Sequence, residues 1–331
     1  MTTARIRTIR GDIPADDFGF CHSHEHAFLA GGHPATLSPV LRIDDYDATV
    51  AELREFRAAG GRAMVDCQPL GCGRMERELF LASTETEVHL VASTGFHKLA
   101  MYPEGHWIRT TSEERLKDIF VHELTEGMYT GTDTREPEAA IDTNDGIAKL
   151  AVDAKAGIIK TAVDADRMAD PDKRWFAAAA AASLATGAPI VCHTETHEEA
   201  IWLADYYMTK GVEPRKIILC HLDRTTERPE THRELARLGC YLEYDTIGRF
   251  KYHSDEEEAE LLLRMLDWGL ADRILLSLDT TRARLKHYGG DIGWTYLLDR
   301  FLPMLRDRYG VADADIHRWM VANPAEAFAF I

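Results

Sequence analysis

The chain has 331 residues, a hydrophobic fraction of 45% and a formal net charge of −17. That is ample material for a large core, and so acidic a chain excludes a nucleic-acid binder, which needs a basic stripe. No apolar run reaches the roughly 18 residues of a membrane span, and "MTTARIRTIRGD" lacks the apolar centre of a signal peptide, so a soluble, cytoplasmic protein with no membrane contact is expected.

In chain order, "RIRTIRGDI" predicts a short strand pair within about the first 16 residues, capping the bottom of whatever follows. Eight short apolar runs come next: Phe18 to His24, Ala63 to Gln68, Val88 to Thr94, Gly157 to Val163, Pro189 to Thr194, Lys216 to Leu222, Tyr241 to Thr246 and Ile274 to Thr280. Helical segments separate them. "DDYDATVAELREFRAAG" opens on acidic residues and closes on Gly60, and "DKRWFAAAAAASLATG" runs through strong helix formers to Gly187. Strands alternating with helices require parallel pairing, and eight such units predict an α/β fold of the (β/α)8 barrel type, one domain over residues 1–331. The segments Lys98 to Val152 and Arg282 to Thr295 are then read as loops at the catalytic end. Six cysteines (Cys21, Cys67, Cys72, Cys192, Cys220 and Cys240) contain no C-x-x-C pair and several lie in apolar runs, which points to free thiols.

Such a barrel carries its active site at the C-terminal ends of the strands. Ionisable residues gather there: His24 and His26 after the first run, Lys160 on the fourth, His193 on the fifth, His221 on the sixth and Asp279 on the eighth. In "HSHEH", side-chain alternation along a strand would put His22, His24 and His26 on one face, with Ser23 and Glu25 on the other. Any one of these residues could be a rim or capping residue, but together they form a nitrogen and oxygen set suited to first-row divalent ions and too large for one tetrahedral site. Lys160 is the odd member, because an ammonium cannot bind a metal. Burial beside cations would lower its pKa and let the amine take up carbon dioxide as a carbamate, whose two oxygens can bridge two ions.

"HSHEH", "GIIKTAV", "VCHTETH", "ILCHLD" and "LLSLDTT" resemble, in order and over nearly the whole chain, the phosphotriesterase-related branch of the amidohydrolase superfamily. The resemblance implies a centre of two divalent ions, zinc first with manganese or cobalt as alternatives. His24, His26 and Asp279 would hold the buried ion, His193 and His221 the exposed one, and carboxylated Lys160 and a hydroxide would bridge them. Asp279 would then shuttle the proton from the attacking hydroxide to the leaving group. His22 has no part in that pattern.

Substrate choice falls to the loops. Arg282, Arg284 and Lys286 follow Asp279, and Arg249 and Lys251 follow the seventh run, where barrels of this kind often hold phosphate. An acidic protein with cations at this end suits a small anionic substrate. "VDCQPLGCGR", "STGFHK", "MYPEGHW" and "TTRARLKHYGG" resemble the phosphorylated sugar lactonases within the family. That implies opening of an aldonolactone phosphate, with Lys251, Arg282 and Tyr288 contacting phosphate and His97 facing the metals. The alternatives are a promiscuous lactonase or phosphotriesterase on neutral substrates, a mononuclear deaminase, and a barrel that has lost catalysis. "WTYLLDRFLPML" would serve a homodimer interface or pack a helix on the barrel.

Overall fold

The computed structural model describes residues 4–137, 154–163 and 173–330. β1 (Arg5–Thr8) and β2 (Gly11–Pro14) form the expected antiparallel pair. Eight strands follow: β3 (Cys21–Glu25), β4 (Ala63–Asp66), β5 (His89–Gly95), β6 (Ala156–Ala162), β7 (Ile190–His193), β8 (Ile217–Leu219), β9 (Tyr241–Tyr244) and β10 (Ile274–Leu276). Each pairs in parallel with its sequence neighbour, in the order β10 to β3, and helices surround them. This is the (β/α)8 barrel that the alternating runs imply.

The seam between β10 and β3 closes without a regular ladder. Ser277 Oγ donates to the His24 carbonyl at 2.6 Å and accepts from His24 N at 3.0 Å, and Asp279 N donates to the same carbonyl at 3.2 Å. The two ends of the chain that carry metal-ligand candidates are thereby joined directly.

Period-two burial explains the layers. Cys21, Ala63, Val65, Val91, Ile158, Val191, Ile218, Tyr241 and Leu275 fill the barrel interior, while Met64, Leu90, Ile159, Ile190, Leu219, Leu242 and Leu276 face the helices. The β1–β2 pair plugs the bottom: Ile6 joins the interior cluster and Ile9 N donates to the Leu90 carbonyl at 2.8 Å. Gly157, at the start of β6, is required by this plug, since a Cβ there would lie 2.3 Å from the Arg7 carbonyl oxygen.

Both quoted helical segments fold as read. The first spans Tyr46–Ala59, capped by Asp45 accepting from Ala48 N and ended by Gly60 at φ 116°; the second spans Lys173–Thr186. All six cysteines are buried and free. The segment read as a loop from Lys98 to Val152 contains a helix, Glu113–Thr125, whose Leu116, Ile119, Phe120 and Leu124 are buried at helical spacing; residues 138–152 lie outside the described ones. No helix among the described residues is long and apolar enough to cross a membrane.

That helix anchors a buried ionic network. Arg74 grips Glu123 with two bonds, at 2.9 and 2.7 Å, and donates to the Ser93 and Tyr129 carbonyls. Glu76 receives only a 3.5 Å contact from the same guanidinium. Burial outweighs that contact and pushes the Glu76 carboxyl up to about 7. Because the folded state holds the proton more tightly than the unfolded chain, stability falls as pH rises from the ordinary carboxylate range to about 7 and is flat above. Glu76→Gln is therefore expected to be as stable as the wild type at pH 5 and more stable by roughly 2–3 kcal/mol at pH 8, measured by denaturant unfolding. An equal difference at both pH values would refute this account.

Candidate active site

Sequence parity predicts His22, His24 and His26 on one face of β3, and the structure corrects this. The β3–β4 register shifts between His22 and Glu25, an irregularity that turns the side chains on either side of it. His22 points outward, its ring 4.8 Å from that of Phe56 on the helix Tyr46–Ala59, and its Nδ1 lies 3.0 Å from Glu25 Oε1. His24 points inward, with Nε2 3.1 Å from Lys160 Nζ. His26 lies beyond the strand, with Nε2 3.5 Å from Asp279 Oδ1.

The remaining expected residues reach the same end of the barrel. Asp279 Oδ1 is 3.9 Å from His24 Nε2, and Asp279 Oδ2 is 4.0 Å from His221 Nδ1. His221 Nε2 is 2.8 Å from His193 Nδ1, and the ring of His97 lies 5.3 Å from that of His193. By parity Cys220 faces the interior and His221 should face away, but His221 takes the left-handed conformation (φ 62°), which returns its ring to the cluster. Asp279 is left-handed too (φ 45°). Two of the three non-glycine residues with positive φ among the described residues thus belong to this centre, the pattern expected where geometry is held for function. Gly95 fixes Lys160 from the side: a Cβ on Gly95 would lie 2.0 Å from the Lys160 carbonyl oxygen.

Three acidic residues absent from the expected set organise it. Glu243 Oε2 lies 2.8 Å from His24 Nδ1 and Asp245 Oδ1 lies 2.7 Å from His221 Nδ1, all buried. Each carboxylate fixes the proton on Nδ1 and turns the Nε2 lone pair of its imidazole toward the centre, as carboxylates behind metal-bound histidines do. The signal was present in "YLEYDT", where two acids alternate in an otherwise apolar strand. Glu25, fully buried, binds the opposite side of the Asp279 loop: it accepts from Leu278 N at 3.2 Å, Thr280 N at 2.9 Å and Trp294 Nε1 at 3.1 Å.

Charge and burial tune these groups. Burial pulls His221 down to about 3 and sends His193 and His97 well below their ordinary range, which leaves neutral imidazoles with lone pairs to offer. Burial works against an ionised Asp279, yet Arg249 Nη1 at 2.9 Å from Oδ2, with the histidines, holds its carboxyl well below the usual range. For Lys160 the expected lowering is not produced. Burial pulls the amine down, but Cys67, Cys220, Glu243 and Asp279 lift it above its ordinary value, because its immediate neighbours are acidic.

The loop cations divide. Arg284 donates to the carbonyls of Leu278 and Ile247, and Lys286 Nζ to Thr295 Oγ1 at 2.7 Å, so both brace the loops. Lys251 is exposed, its Nζ 4.4 Å from the Tyr252 ring centroid. Arg282 is part-exposed, with its guanidinium 4.9 Å above the Tyr288 ring. The Tyr288 hydroxyl itself is taken up by the Asp45 carbonyl and Thr49 Oγ1, both at 2.7 Å. On the opposite side, Glu195 pairs with Lys98 and Arg224 and lies 2.9 Å from His193 Nε2.

The donor set fits divalent ions: His24, His26 and Asp279 offer ligand atoms within 4.8 Å of one another, and His193 and His221 present nitrogens beside them. Comparison with known proteins gives the family. The profile of the Phosphotriesterase family matches residues 4–328. A protein of Mycoplasmopsis synoviae described as a phospho-furanose lactonase is 30% identical over 100% of this chain and 93% of its own length. The crystal structure of an amidohydrolase from Mycoplasma synoviae superposes with a TM-score of 0.89 at 28% identity, covering 100% of this chain and 93% of that one. The phosphotriesterase homology protein from Escherichia coli, complexed with phosphate in its active site, superposes with a TM-score of 0.81 at 27% identity, covering 95% of this chain and 99% of that one.

Proposed function

The chain belongs to the phosphotriesterase family and is a lactonase-type hydrolase, and from that premise we propose that it opens a phosphorylated sugar lactone with the help of two divalent ions. The observation that carries the reading is the convergence of His24, Lys160, His193, His221 and Asp279 at one end of the barrel, two of the imidazoles already oriented by buried carboxylates. His24, His26 and Asp279 would hold one ion and His193 and His221 the other, with carboxylated Lys160 between them; zinc suits this set, with manganese or cobalt as substitutes. Bound there, the ions supply Lewis acidity that polarises the lactone carbonyl and lowers the pKa of water.

The chain's own residues do the rest. Asp279, ionised and aimed by Arg249, accepts the proton of the attacking water. As the ring C–O bond breaks, Asp279 returns that proton to the departing alkoxide, leaving a hydroxy acid. His97 accepts from Lys98 N through Nδ1 at 2.8 Å, so its Nε2 is the atom left for a substrate oxygen. Lys251 and Arg282 are assigned to the phosphate, with the Tyr288 ring steadying Arg282. The names of the relatives, one a phospho-furanose lactonase and one bound to phosphate, favour this substrate class over neutral lactones and organophosphates.

The test compares phosphorylated aldonolactones with their unphosphorylated counterparts in a pH-indicator assay of metal-loaded enzyme. Arg282→Glu and Lys251→Glu are each expected to lower kcat/KM on the phosphorylated lactone by about 100-fold or more, and to change the neutral lactone by less than about 3-fold. Equal losses on both substrates would discard the phosphate assignment in favour of a neutral lactonase or esterase.

A further inference from the structure

A second cluster of ligand-type side chains lies outside the catalytic set. Asp223 follows β8, His253 precedes the helix Asp255–Asp267, and Glu258 belongs to that helix's first turns. Asp223 and Glu258 are fully buried and His253 is 6% exposed. One oxygen or nitrogen from each lies within 4.8 Å of the others. We propose that Asp223, His253 and Glu258 form a further divalent-cation site, taking an ion such as Zn²⁺ or Mn²⁺, that shares no ligand with the catalytic centre.

Three observations support it. First, the histidine is placed as a ligand would be: Nδ1 lies 3.1 Å from the Ser254 carbonyl, to which it donates, and Nε2 faces both carboxylates. Burial works against its charge, yet the bond to Asp223 and the charges of Glu258 and Asp223 raise the imidazole to about 9, so an ion would enter by displacing the Nε2 proton. Second, the carboxylates lack other uses. Both oxygens of Glu258 and Oδ1 of Asp223 are buried without a hydrogen-bond partner among the described residues, while Asp223 Oδ2 accepts from Thr246 N at 2.6 Å and faces His253 Nε2 at 3.7 Å. The neighbouring Asp255 is different, since its oxygens are occupied by Gly248 N and the Tyr296 hydroxyl. A carboxylate pair buried with so few donors is costly unless protons or a cation compensate it; burial and Asp223 push the Glu258 carboxyl well above its ordinary range, and a divalent ion would take the place of that proton.

Third, the spacing fits a metal better than a proton. His253 Nε2 lies 3.4 Å from Glu258 Oε2 and 3.7 Å from Asp223 Oδ2. A charge-assisted hydrogen bond would draw such atoms to about 2.7–2.9 Å. Ligands about 2.0–2.1 Å from a tetrahedral ion stand roughly 3.3–3.4 Å apart. Thr246 Oγ1 hydrogen-bonds the same Nε2 at 3.0 Å, so a hydroxyl oxygen also stands beside the three ligand atoms. Two carboxylates also balance the charge of a divalent ion, which the imidazole nitrogen biases toward the transition series.

The experiment is anomalous diffraction at the zinc edge on crystals of the full chain grown with zinc, paired with metal analysis of wild type, Glu258→Gln and His253→Gln. The expected result is a peak bonded to Asp223, His253 and Glu258, and one fewer ion per chain in each variant. No peak at these three residues, or the same ion count in wild type and both variants, overturns the inference. The map keeps the two readings apart: a peak at His24 and Asp279 without one here removes only this site, and the reverse removes only the catalytic assignment. If the variants fail to fold, the wild-type map decides alone.

Discussion

Lys160→Met is expected to abolish lactone hydrolysis almost completely while leaving the fold intact. Methionine has nearly the length and volume of lysine, so the space beside Gly95 stays filled and the barrel keeps its packing. What disappears is the Nζ atom, fully buried and 3.1 Å from His24 Nε2. A lysine that served only as a buried charge among Glu243 and Asp279 would leave, on removal, uncompensated carboxylates that lower stability by about 3–5 kcal/mol but the same metal content. If it links two ions, kcat/KM should fall on the order of 10²–10³-fold or more, and the zinc retained per chain should fall with it. Thermal melting and circular dichroism check the fold; metal analysis and the lactone assay check the site. A variant that keeps its metal and more than a tenth of its activity would sink the two-ion reading.

The fold was legible because it depends on burial patterns that repeat along the chain. Each of the eight apolar runs became a strand, since a parallel strand covered on both faces has to be apolar throughout. The helix Glu113–Thr125 was hidden only by its place inside a long insert; its own spacing was regular. The site was legible where a residue type is rare in its context, as with Lys160 in the middle of an apolar strand. It was not legible where backbone geometry overrides parity. His24 needed the register shift in β3 to turn in beside an outward His22, and His221 needed a left-handed φ to turn in. Glu243, Asp245 and Arg249 act on other side chains, and which chains those are depends on neighbours across the barrel. The alternating acids of "YLEYDT" mark Glu243 and Asp245 as unusual, but no single-strand pattern says which histidines they hold.

Glu25→Gln is expected to be the most damaging change that touches none of the proposed ligands. The Glu25 carboxylate gathers His22 Nδ1, the Leu278 and Thr280 amides, the Thr280 hydroxyl and the Trp294 indole. Burial alone would raise its pKa, but the bond from His22 and those from Thr280 bring it below the ordinary value, so it stays ionised. Its stabilising contribution is therefore complete above the usual carboxylate pKa and is lost only as pH falls through the lowered one. Glutamine keeps one acceptor and turns an NH2 toward groups that are themselves donors. Breaking a buried charged network in this way costs about 3–5 kcal/mol. The catalytic effect follows from position, because Leu278 and Thr280 flank Asp279, whose left-handed backbone (φ 45°) is sustained by what holds its neighbours. With that hold weakened, kcat should drop roughly 10–100-fold with little change in KM, since the substrate contacts are elsewhere. Glu25→Asp, which keeps the charge one methylene short, should recover part of both stability and kcat. Equal loss of kcat in the two variants would mean that Glu25 does not position Asp279 through its charge.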